Sequence, residues 1–450
     1  MNAPNVSQPM KQLLGGALLA LLACSANASL KVPNEIDLNI NLATPVMAAD
    51  KVHKAFIKIS LEGFKQHNKQ ERIPANIAIV LDKSGSMAGD KIEQAREAAI
   101  MAIRRLDNRD IVSVISYDSR VKVVVPATKV SDKPSIYNAI RHIRANGNTA
   151  LFAGVSKGAQ ELRKFLDQNK VNRVILLSDG LANVGPQSPR ELGQLGASLA
   201  KEGMSVTTIG LGLGYNEDLM TRLAGFSDGN HAFVENAEDL ASIFQYEFGD
   251  VLSVVAQGVT IEINCGKGIK PIRLLGRESD IIGGRVRARL NQLYSEQEKF
   301  VILEVEVPAQ QAGSDLELAT IDIDYYNLYT RKNQQVRERV SASFSQSKEE
   351  VEAAIDSNAY ESAVEQVANE YGRQALEKRD QGDIQGAQTI LKQSATYLGS
   401  QGAALSSPKL MEQKAEALKD ADELGDEQQW NKKRKELKAR QYKRATQQKY

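Results

Sequence analysis

The sequence predicts a doubly wound, mostly parallel α/β sheet that is inserted in an antiparallel β-sandwich and followed by a charged helical region. In the centre, continuous apolar runs alternate with helical stretches, which is typical of a parallel sheet covered on both faces. On both flanks apolar residues alternate with polar ones, the pattern of antiparallel sheet with one solvated face. From about residue 347 the pattern becomes helical and highly charged.

Residues 1–28 are predicted to be a secretory signal peptide. An apolar run, Leu13–Ala23, is preceded by Lys11 and followed by the small-x-small cleavage signal Ala26-Asn27-Ala28. Beyond this segment no apolar run of the sequence is long enough to cross a bilayer. We therefore expect an exported protein of the periplasm or cell envelope.

Three alternatives stay open for this N-terminal segment. Cys24 follows a lipobox-like sequence, and its lipidation would make an outer-membrane lipoprotein instead of a chain cleaved after Ala28. Translation from Met10 would give a tighter signal. A buried cytoplasmic helix is the interpretation that excludes export.

The flanking strands are expected to belong to one domain. Strand patterns over 36–42 and 55–61 precede the α/β region, and further ones follow between 254 and 345. Two isolated strands are marginally stable in water. Our hypothesis is that residues 29–72 and 252–346 form one β-sandwich, with the α/β domain over 73–251 inserted in it. The charged helical region then covers 347–450.

The central domain is predicted element by element from its periodicity. Its strands are expected at Ile77–Leu81, Ile111–Ser116, Val121–Val125, Val174–Ser178, Ser205–Ile209 and His231–Glu235. Its helices are expected after the Asp82 turn, near 133–145, 153–168 and 189–202, from Asn216, and at the end of the domain.

The most informative motif is Asp82-Lys83-Ser84-Gly85-Ser86. It follows the first central strand, and ligands of open α/β sheets bind outside the carboxyl ends of the strands. One carboxylate and two hydroxyls are hard oxygen ligands, which suit magnesium or manganese better than zinc. The alternative interpretation is turn chemistry, in which Ser84 or Ser86 caps the following helix.

Two further segments add oxygen ligands. Thr149 lies in the glycine-containing loop Asn146–Leu151, and Asp179 ends the buried strand pattern that begins at Val174. The set Asp82, Ser84, Ser86, Thr149 and Asp179 resembles, without a departure, the metal-ion-dependent adhesion site of von Willebrand factor type A domains. The resemblance covers roughly residues 73–251, and it implies a Rossmann-like fold.

The resemblance also implies how the site works. Ser84 and Ser86 would bind a Mg²⁺ ion directly, with Mn²⁺ or Ca²⁺ as alternatives, and Thr149 would bind it directly or through water. Asp82 and Asp179 would hold coordinated waters. One coordination position is left for a Glu or Asp carboxylate of a protein partner. We expect Asp82→Ala to abolish such binding with little loss of folding, because the turn is predicted to face solvent.

Composition and the remaining motifs exclude several function classes. The formal net charge is +1 and aromatic residues make up 5% of the chain, so nothing indicates a nucleic-acid partner. No His-Glu-x-x-His pair occurs, and Gly210-x-Gly212-x-Gly214 is interpreted as a tight turn. Cys265 is predicted to be a buried structural thiol. No histidine falls in the site loops, so we expect no enzyme activity; a metal-dependent hydrolase is the alternative.

The C-terminal region contains two features of interest. Residues 371–398 resemble a single helical hairpin of tetratricopeptide type, which would either pack on the sandwich or serve as a docking surface. The basic tail, Lys432–Arg444, is predicted to be a solvated helix, with contact to anionic lipid headgroups as the alternative. The predicted function is partner binding through the metal site; the alternative is an accessory subunit that docks on a membrane or envelope complex through these helices.

Overall fold

The computed structural model describes residues 35–66, 72–277 and 279–450. The predicted signal peptide, with Cys24 and Met10, lies outside these residues. The first strands are β1 (Asp37–Leu42), β2 (Val46–Ala48) and β3 (His53–Glu62). The strands after the central domain are β10 (Val254–Cys265), β11 (Lys270–Leu275), β12 (Asp280–Ile282), β13 (Arg285–Tyr294), β14 (Glu298–Val307), β15 (Asp315–Asn327) and β16 (Lys332–Ser345).

These ten strands form two sheets, ordered β1-β3-β14-β11 and β12-β13-β10-β15-β16-β2. Strands from the two flanks are direct neighbours: β3 pairs antiparallel with β14 from Glu62↔Glu298 to His53↔Val307. Alternate residues of both flanks, such as Ile57 and Ile59 from one and Ile261 from the other, share one apolar core. The fold class, with an inserted domain, is therefore confirmed; the exact domain boundaries stay a prediction.

The inserted domain is a six-stranded sheet with helices on both faces. Its strands are β4 (Ala75–Asp82), β5 (Ile111–Tyr117), β6 (Val121–Lys129), β7 (Val171–Ser178), β8 (Met204–Leu211) and β9 (His231–Val234), in the order β6-β5-β4-β7-β8-β9. Its helices are α1 (Asp90–Arg104), α2 (Lys133–Arg141), α3 (Leu151–Arg163), α4 (Pro189–Lys201), α5 (Glu217–Ser227) and α6 (Leu240–Val251).

The continuous apolar strands have a direct structural cause. Every residue of β4, β7 and β8 is buried, because one apolar core lies on each face of the sheet. Only the edge strand β6 runs antiparallel, and it pairs with β5. All the carboxyl ends of the parallel strands therefore meet at one edge of the sheet.

The C-terminal region is entirely helical. Its helices are α7 (Lys348–Ala353), α8 (Ser357–Asp380), α9 (Ile384–Ala404), α10 (Pro408–Glu423) and α11 (Trp430–Thr446). Ala363 and Val367 of α8 pack on Phe300 and Ile302 of the sandwich, as one of the two sequence interpretations expects. The predicted single hairpin is α8–α9, and α10 and α11 supply the neighbours that an isolated hairpin would lack. Among the described helices, none has the length and apolar character needed to cross a membrane.

The interpretation of the basic tail as a solvated helix is wrong. In α11 Lys435 is buried, and several cations of this helix form ion pairs within the protein. Arg440 pairs with Glu416 of α10 at 2.6 Å, and Lys438 pairs with Asp218 of α5 at 2.6 Å. Carboxylates that are distant in sequence thus neutralise these cations, which leaves less positive charge for anionic lipid headgroups; lipid contact stays a prediction.

A buried polar network joins the inserted domain, the sandwich and the C-terminus. Arg173 of β7, fully buried, donates to Glu247 Oε1 of α6 at 2.6 Å and to the Tyr294 hydroxyl of β13 at 2.6 Å. The hydroxyl of the last residue, Tyr450, also bonds to Glu247 and accepts from Asn230 Nδ2 at 2.8 Å. Such a network holds the three regions in one arrangement because each buried charge depends on its partners.

Cys265 ends β10 and is half-buried, which is less burial than the sequence predicted. Burial nevertheless raises the pKa of its thiol to about 11. The thiolate form, which is the nucleophile, is therefore scarce at neutral pH. A structural role agrees with this chemistry.

Acid is expected to destabilise the fold through His231. This ring is buried in β9; Nδ1 lies 2.9 Å from the Thr208 hydroxyl, and Nε2 has no hydrogen-bond partner among the described residues. Burial, aided by the nearby charge of Lys443, lowers the pKa of His231 to about 3. The unfolded chain then binds an extra proton between about pH 3 and 6.5, so stability rises with pH in that window, by on the order of 5 kcal/mol.

The measurement compares thermal midpoints at pH 7 and pH 5 for the wild type and His231→Phe. We expect the wild type to lose more on acidification. Asp250 acts in the opposite direction, because burial raises its pKa to about 6 and its cost is relieved by protonation. An equal loss in both proteins would contradict the assignment to His231.

Candidate functional site

The five predicted site residues lie on three adjacent loops at the carboxyl edge of the central sheet. β4 and β7 are parallel neighbours, paired from Ala75↔Val171 to Leu81↔Leu177, so the two turns that follow them lie side by side. The loop before α3 joins them, because Gly85 N donates to Gly147 O at 2.9 Å. Local sequence thus places each carboxylate at a strand end, and the parallel pairing brings these ends together.

Asp82 anchors the first loop from a buried position. Its Oδ1 accepts from Ser84 N at 2.8 Å and its Oδ2 accepts from the Ser178 hydroxyl at 2.7 Å. Burial raises the pKa of Asp82, although the hydrogen bonds from Ser178 and Ser84 oppose the rise. The prediction that this turn faces solvent is wrong for Asp82, since the neighbouring loops cover it; only Ser86 of the three motif side chains is exposed.

The hydroxyls of the site converge. Ser84 Oγ lies 3.1 Å from Ser86 Oγ, and the Ser86 hydroxyl donates to Asp179 Oδ1 at 2.6 Å. A Cβ atom built on Gly180 would lie 3.1 Å from Thr149 Oγ1, 3.4 Å from Ser86 Oγ and 3.9 Å from Ser84 Oγ. The absence of a side chain at Gly180 therefore leaves a space bordered by all three hydroxyls.

The alternative interpretation of the serines as helix caps is wrong. α1 begins at Asp90 after Gly89, and no side chain caps it. Ser84 precedes a short 3₁₀ turn, and its side chain forms no capping hydrogen bond. The serine hydroxyls face one another and Asp179 instead.

Four residues that hold the site were not singled out from the sequence. Ser178 fixes Asp82, and Gly180 leaves room for the hydroxyls, as described above. Asn183 fixes Thr149, because its Oδ1 accepts from Thr149 N at 2.8 Å and its own N donates to Thr149 O at 3.1 Å. Lys91 Nζ lies 2.6 Å from Asp179 Oδ2. The Ser178-Asp179-Gly180 sequence at the end of β7, with Asn183 shortly after it, was the available signal, whereas nothing local marks Lys91.

Two further carboxylates of the domain, Asp118 and Asp228, are engaged in ion pairs. Asp118 forms an ion pair with Lys83. Burial opposes ionisation of Asp118, but the hydrogen bonds from Lys83 and Arg120 outweigh it and lower its pKa. Asp228 pairs with Arg277. A carboxylate with a lowered pKa is a weak general base, and among the described residues no three His, Cys, Asp or Glu side chains cluster as metal ligands.

Comparison with known proteins decides the nature of the domain. The family model for the von Willebrand factor type A domain matches residues 76–246. These residues form a von Willebrand factor type A domain. The fold is similar to that of a solved structure described as von Willebrand factor type A from Catenulispora acidiphila. The match covers 86% of this chain and 89% of that chain, with a TM-score of 0.67 and 14% sequence identity.

Other relatives extend beyond this domain. The crystal structure of the ArnB paralog VWA2 from Sulfolobus acidocaldarius has a similar fold. The match covers 92% of this chain and 98% of that chain, with a TM-score of 0.61 and 15% sequence identity. An uncharacterised protein of Synechocystis, sll0103, is 26% identical over 341 residues, 74% of this chain and 80% of its own. YfbK of Escherichia coli is 27% identical over 198 residues, and that alignment spans 34% of YfbK.

The residues present fit a divalent cation. Von Willebrand factor A domains commonly bind one at the adhesion site, and the three hydroxyls around Gly180 are hard donors of the kind that magnesium or manganese prefers. Two buried carboxylates, Asp82 and Asp179, lie beside these hydroxyls and supply negative charge. The donor set contains no nitrogen or sulfur ligand, which disfavours zinc.

Gly180→Ala is expected to block the site while the fold stays intact. The new methyl group would occupy the space between the three hydroxyls, 3.1 Å from Thr149 Oγ1. We expect Mn²⁺ affinity of the purified chain to fall at least tenfold. Gly249→Ala, on α6 with no atom within 4 Å of the added carbon, is the matched control and should bind as the wild type. Unchanged affinity in Gly180→Ala would mean that this space is not the cation site.

Proposed function

We propose that this protein binds a protein partner through a divalent cation held at the adhesion site of its von Willebrand factor A domain. The observation that supports it most is the convergence of the Ser84, Ser86 and Thr149 hydroxyls around Gly180. Mg²⁺ is the proposed ion, with Mn²⁺ or Ca²⁺ as alternatives. The domain type is one that serves in protein interaction and adhesion.

Each residue has a distinct role in the proposal. The three hydroxyls would hold the cation, and Asp82 and Asp179 would keep its water ligands in place through their carboxylates. Because these direct ligands are neutral, a bound cation supplies an electrophilic position that a partner carboxylate can fill. Lys91 holds Asp179 Oδ2 and so directs the other oxygen, Oδ1, toward Ser86.

No bond-breaking step is part of this function. Asp118 and Asp228 are paired with cations, and His231 is buried in β9. Asp82 and Asp179 are engaged by Ser178, Ser86 and Lys91 within the proposed cation site, so we assign no general base. A panel of hydrolase substrates, assayed with and without Mn²⁺, tests the alternative. Turnover that requires Asp82 would overturn the non-enzymatic proposal.

We further propose that the protein acts outside the cytoplasm, in the periplasm or cell envelope. The support is the predicted signal segment over residues 1–28. Fractionation of cells that express the full chain tests this, with N-terminal sequencing of the mature protein. A start at Ser29 or a lipidated Cys24 would each support export, and a full-length cytoplasmic chain would contradict it.

The decisive experiment for binding is a pull-down from the native cell envelope. The mature protein is presented with Mg²⁺, with chelator, and as Asp82→Ala. A partner lost in the last two conditions supports the proposed function and identifies the ligand. A partner retained in all three contradicts it and moves the binding surface to the sandwich or the C-terminal helices.

A further inference from the structure

A loop next to the adhesion site is held from outside the von Willebrand factor A domain. This β8–α5 loop, residues 212–216, contains the glycine turn that the sequence predicted. A Cβ on Gly214 would lie 2.6 Å from Asp179 O, and one on Gly212 would lie 3.7 Å from Lys91 Nζ. The loop therefore packs directly on Asp179 and on the lysine that orients its carboxylate.

The opposite side of this loop is bound by α11, the C-terminal helix. Asn431 Nδ2 donates to Leu213 O at 3.1 Å, and Lys435 Nζ donates to Tyr215 O at 3.0 Å. The Lys435 ammonium also lies 4.8 Å from the centre of the Tyr215 ring. Two carbonyls of a five-residue loop are thus fixed by side chains more than 200 residues later in the chain.

The same helix fixes the start of α5, which follows the loop. Lys435 Nζ pairs with Glu217 Oε2 at 2.6 Å. Arg434 pairs with Glu217 and with Asp218 Oδ2 at 2.8 Å, and Lys438 pairs with Asp218 Oδ1 at 2.6 Å. Lys435 is 3% exposed and Glu217 4%, so solvent screens their attraction little. One helix therefore fixes both the loop and the first turn of α5 that follows it.

We infer that α11 is a positioning element of the adhesion site, so that the cation affinity of the site depends on the C-terminal helix. This inference rests on the proposed function. Lys435 and Asn431 set the β8–α5 loop, and the loop confines Asp179 and Lys91. Loss of these bonds lets Asp179 move away from Ser86, and groups that orient metal-binding residues typically contribute 10–100-fold to affinity.

This arrangement also gives the C-terminal region a role beyond packing. A protein that binds the helical region and displaces α11 would weaken the adhesion site from a distance. The contacts of Asn431 and Lys435 with the β8–α5 loop require α11 to be docked, so displacement of α11 would remove them.

The test uses the full chain and Mn²⁺ alone, with free Mn²⁺ measured by electron paramagnetic resonance. Lys435→Met keeps the unbranched side chain except for its terminal ammonium and leaves Glu217 paired with Arg434. We expect about tenfold weaker Mn²⁺ binding, with faster hydrogen exchange of the β8–α5 loop. Arg440→Met is the matched control on the same helix, because Arg440 pairs with Glu416 and Asp420 of α10 and touches no part of the loop.

The outcomes separate the two proposals. If Lys435→Met loosens the loop but keeps the Mn²⁺ affinity of the wild type, the role of α11 is overturned. The proposed function is unaffected by that outcome. An equal loss in Arg440→Met would also overturn the role of α11, since general destabilisation would then explain the effect. If Lys435→Met does not fold, the exposed Asn431→Ala replaces it, with a loss of about threefold expected, on the order of one weak hydrogen bond. No Mn²⁺ binding by the wild type would contradict the proposed function itself.

Discussion

Asp82→Ala is expected to abolish cation-dependent partner binding, with a loss of at least a hundredfold. The substitution removes a carboxylate that the structure places beside the converging hydroxyls. It also frees Ser84, whose backbone N donates to Asp82 Oδ1 at 2.8 Å. Both the negative charge and the orientation of a ligand are lost together, and each such loss typically costs tenfold or more. Binding is measured by the pull-down and by Mn²⁺ titration.

The buried position of Asp82 changes the expected effect on stability. Alanine leaves the Ser84 N–H and the Ser178 hydroxyl without their acceptor, which costs about 1–3 kcal/mol. The loss is partly offset, because burial already disfavours the charged carboxylate and raises the pKa of Asp82. We therefore expect a folded protein with a lower thermal midpoint, instead of the unchanged stability predicted for a solvent-facing turn.

Asp82→Asn separates charge from shape. The amide oxygen can still accept from Ser84 N, so the stability should stay close to that of the wild type while Mn²⁺ binding falls. Asp132→Ala, which removes the cap of α2 on the surface, serves as a control outside the site and should leave binding unchanged. Retention of cation-dependent binding in Asp82→Ala would contradict the site assignment.

Arg173→Met is expected to destabilise the whole protein by about 3–5 kcal/mol. Arg173 and Glu247 are both fully buried, and their ion pair measures 2.6 Å. Burial opposes ionisation of Glu247, but Arg173 and its hydrogen-bond partners outweigh that effect and lower its pKa. Without the guanidinium, Glu247 stays buried without its ion-pair partner, and Tyr294 loses its donor.

Equilibrium denaturation of the wild type and Arg173→Met measures this loss. In the variant the pKa of Glu247 should rise above its unfolded value, so that its destabilising effect is relieved as pH falls below that raised value. The double substitution Arg173→Met with Glu247→Gln should recover part of the stability at pH 7, because no unpaired charge remains. An unchanged midpoint in Arg173→Met would show that the network does not hold the three regions together.

The period of the apolar residues was enough to predict the fold class. Alternation at Ala55, Ile57, Ile59 and Leu61 indicates a half-buried strand, and the structure pairs that strand with β14 across the inserted domain. The continuous apolar run of β4 indicates a strand covered on both faces, and all eight of its residues are buried. These patterns are local, so they can be read without knowledge of the neighbours.

The residues of the candidate site could be named from the sequence through their resemblance to a family motif, whereas some of the residues that support them could not. Asp82, Ser84, Ser86, Thr149 and Asp179 lie at strand ends and in short polar loops, where a recurring order of residue types marks them. Lys91 carries no such mark, because its role depends on an ion pair with a residue 88 positions later. The solvent-facing turn and the solvated basic helix were wrong for a related reason: burial of Asp82 and of Lys435 is decided by elements far away in the chain.

The sequence by itself therefore determined the order of elements, the insertion of one domain in another, and the residue types that a hard cation needs. The tertiary structure decided which of those residues are buried, how Ser178, Asn183 and Lys91 hold them, and that α11 lies against the β8–α5 loop. The physical reason is range. Periodicity and strand-end chemistry act within a few residues, whereas burial and ion pairing sum contributions from every segment that packs nearby.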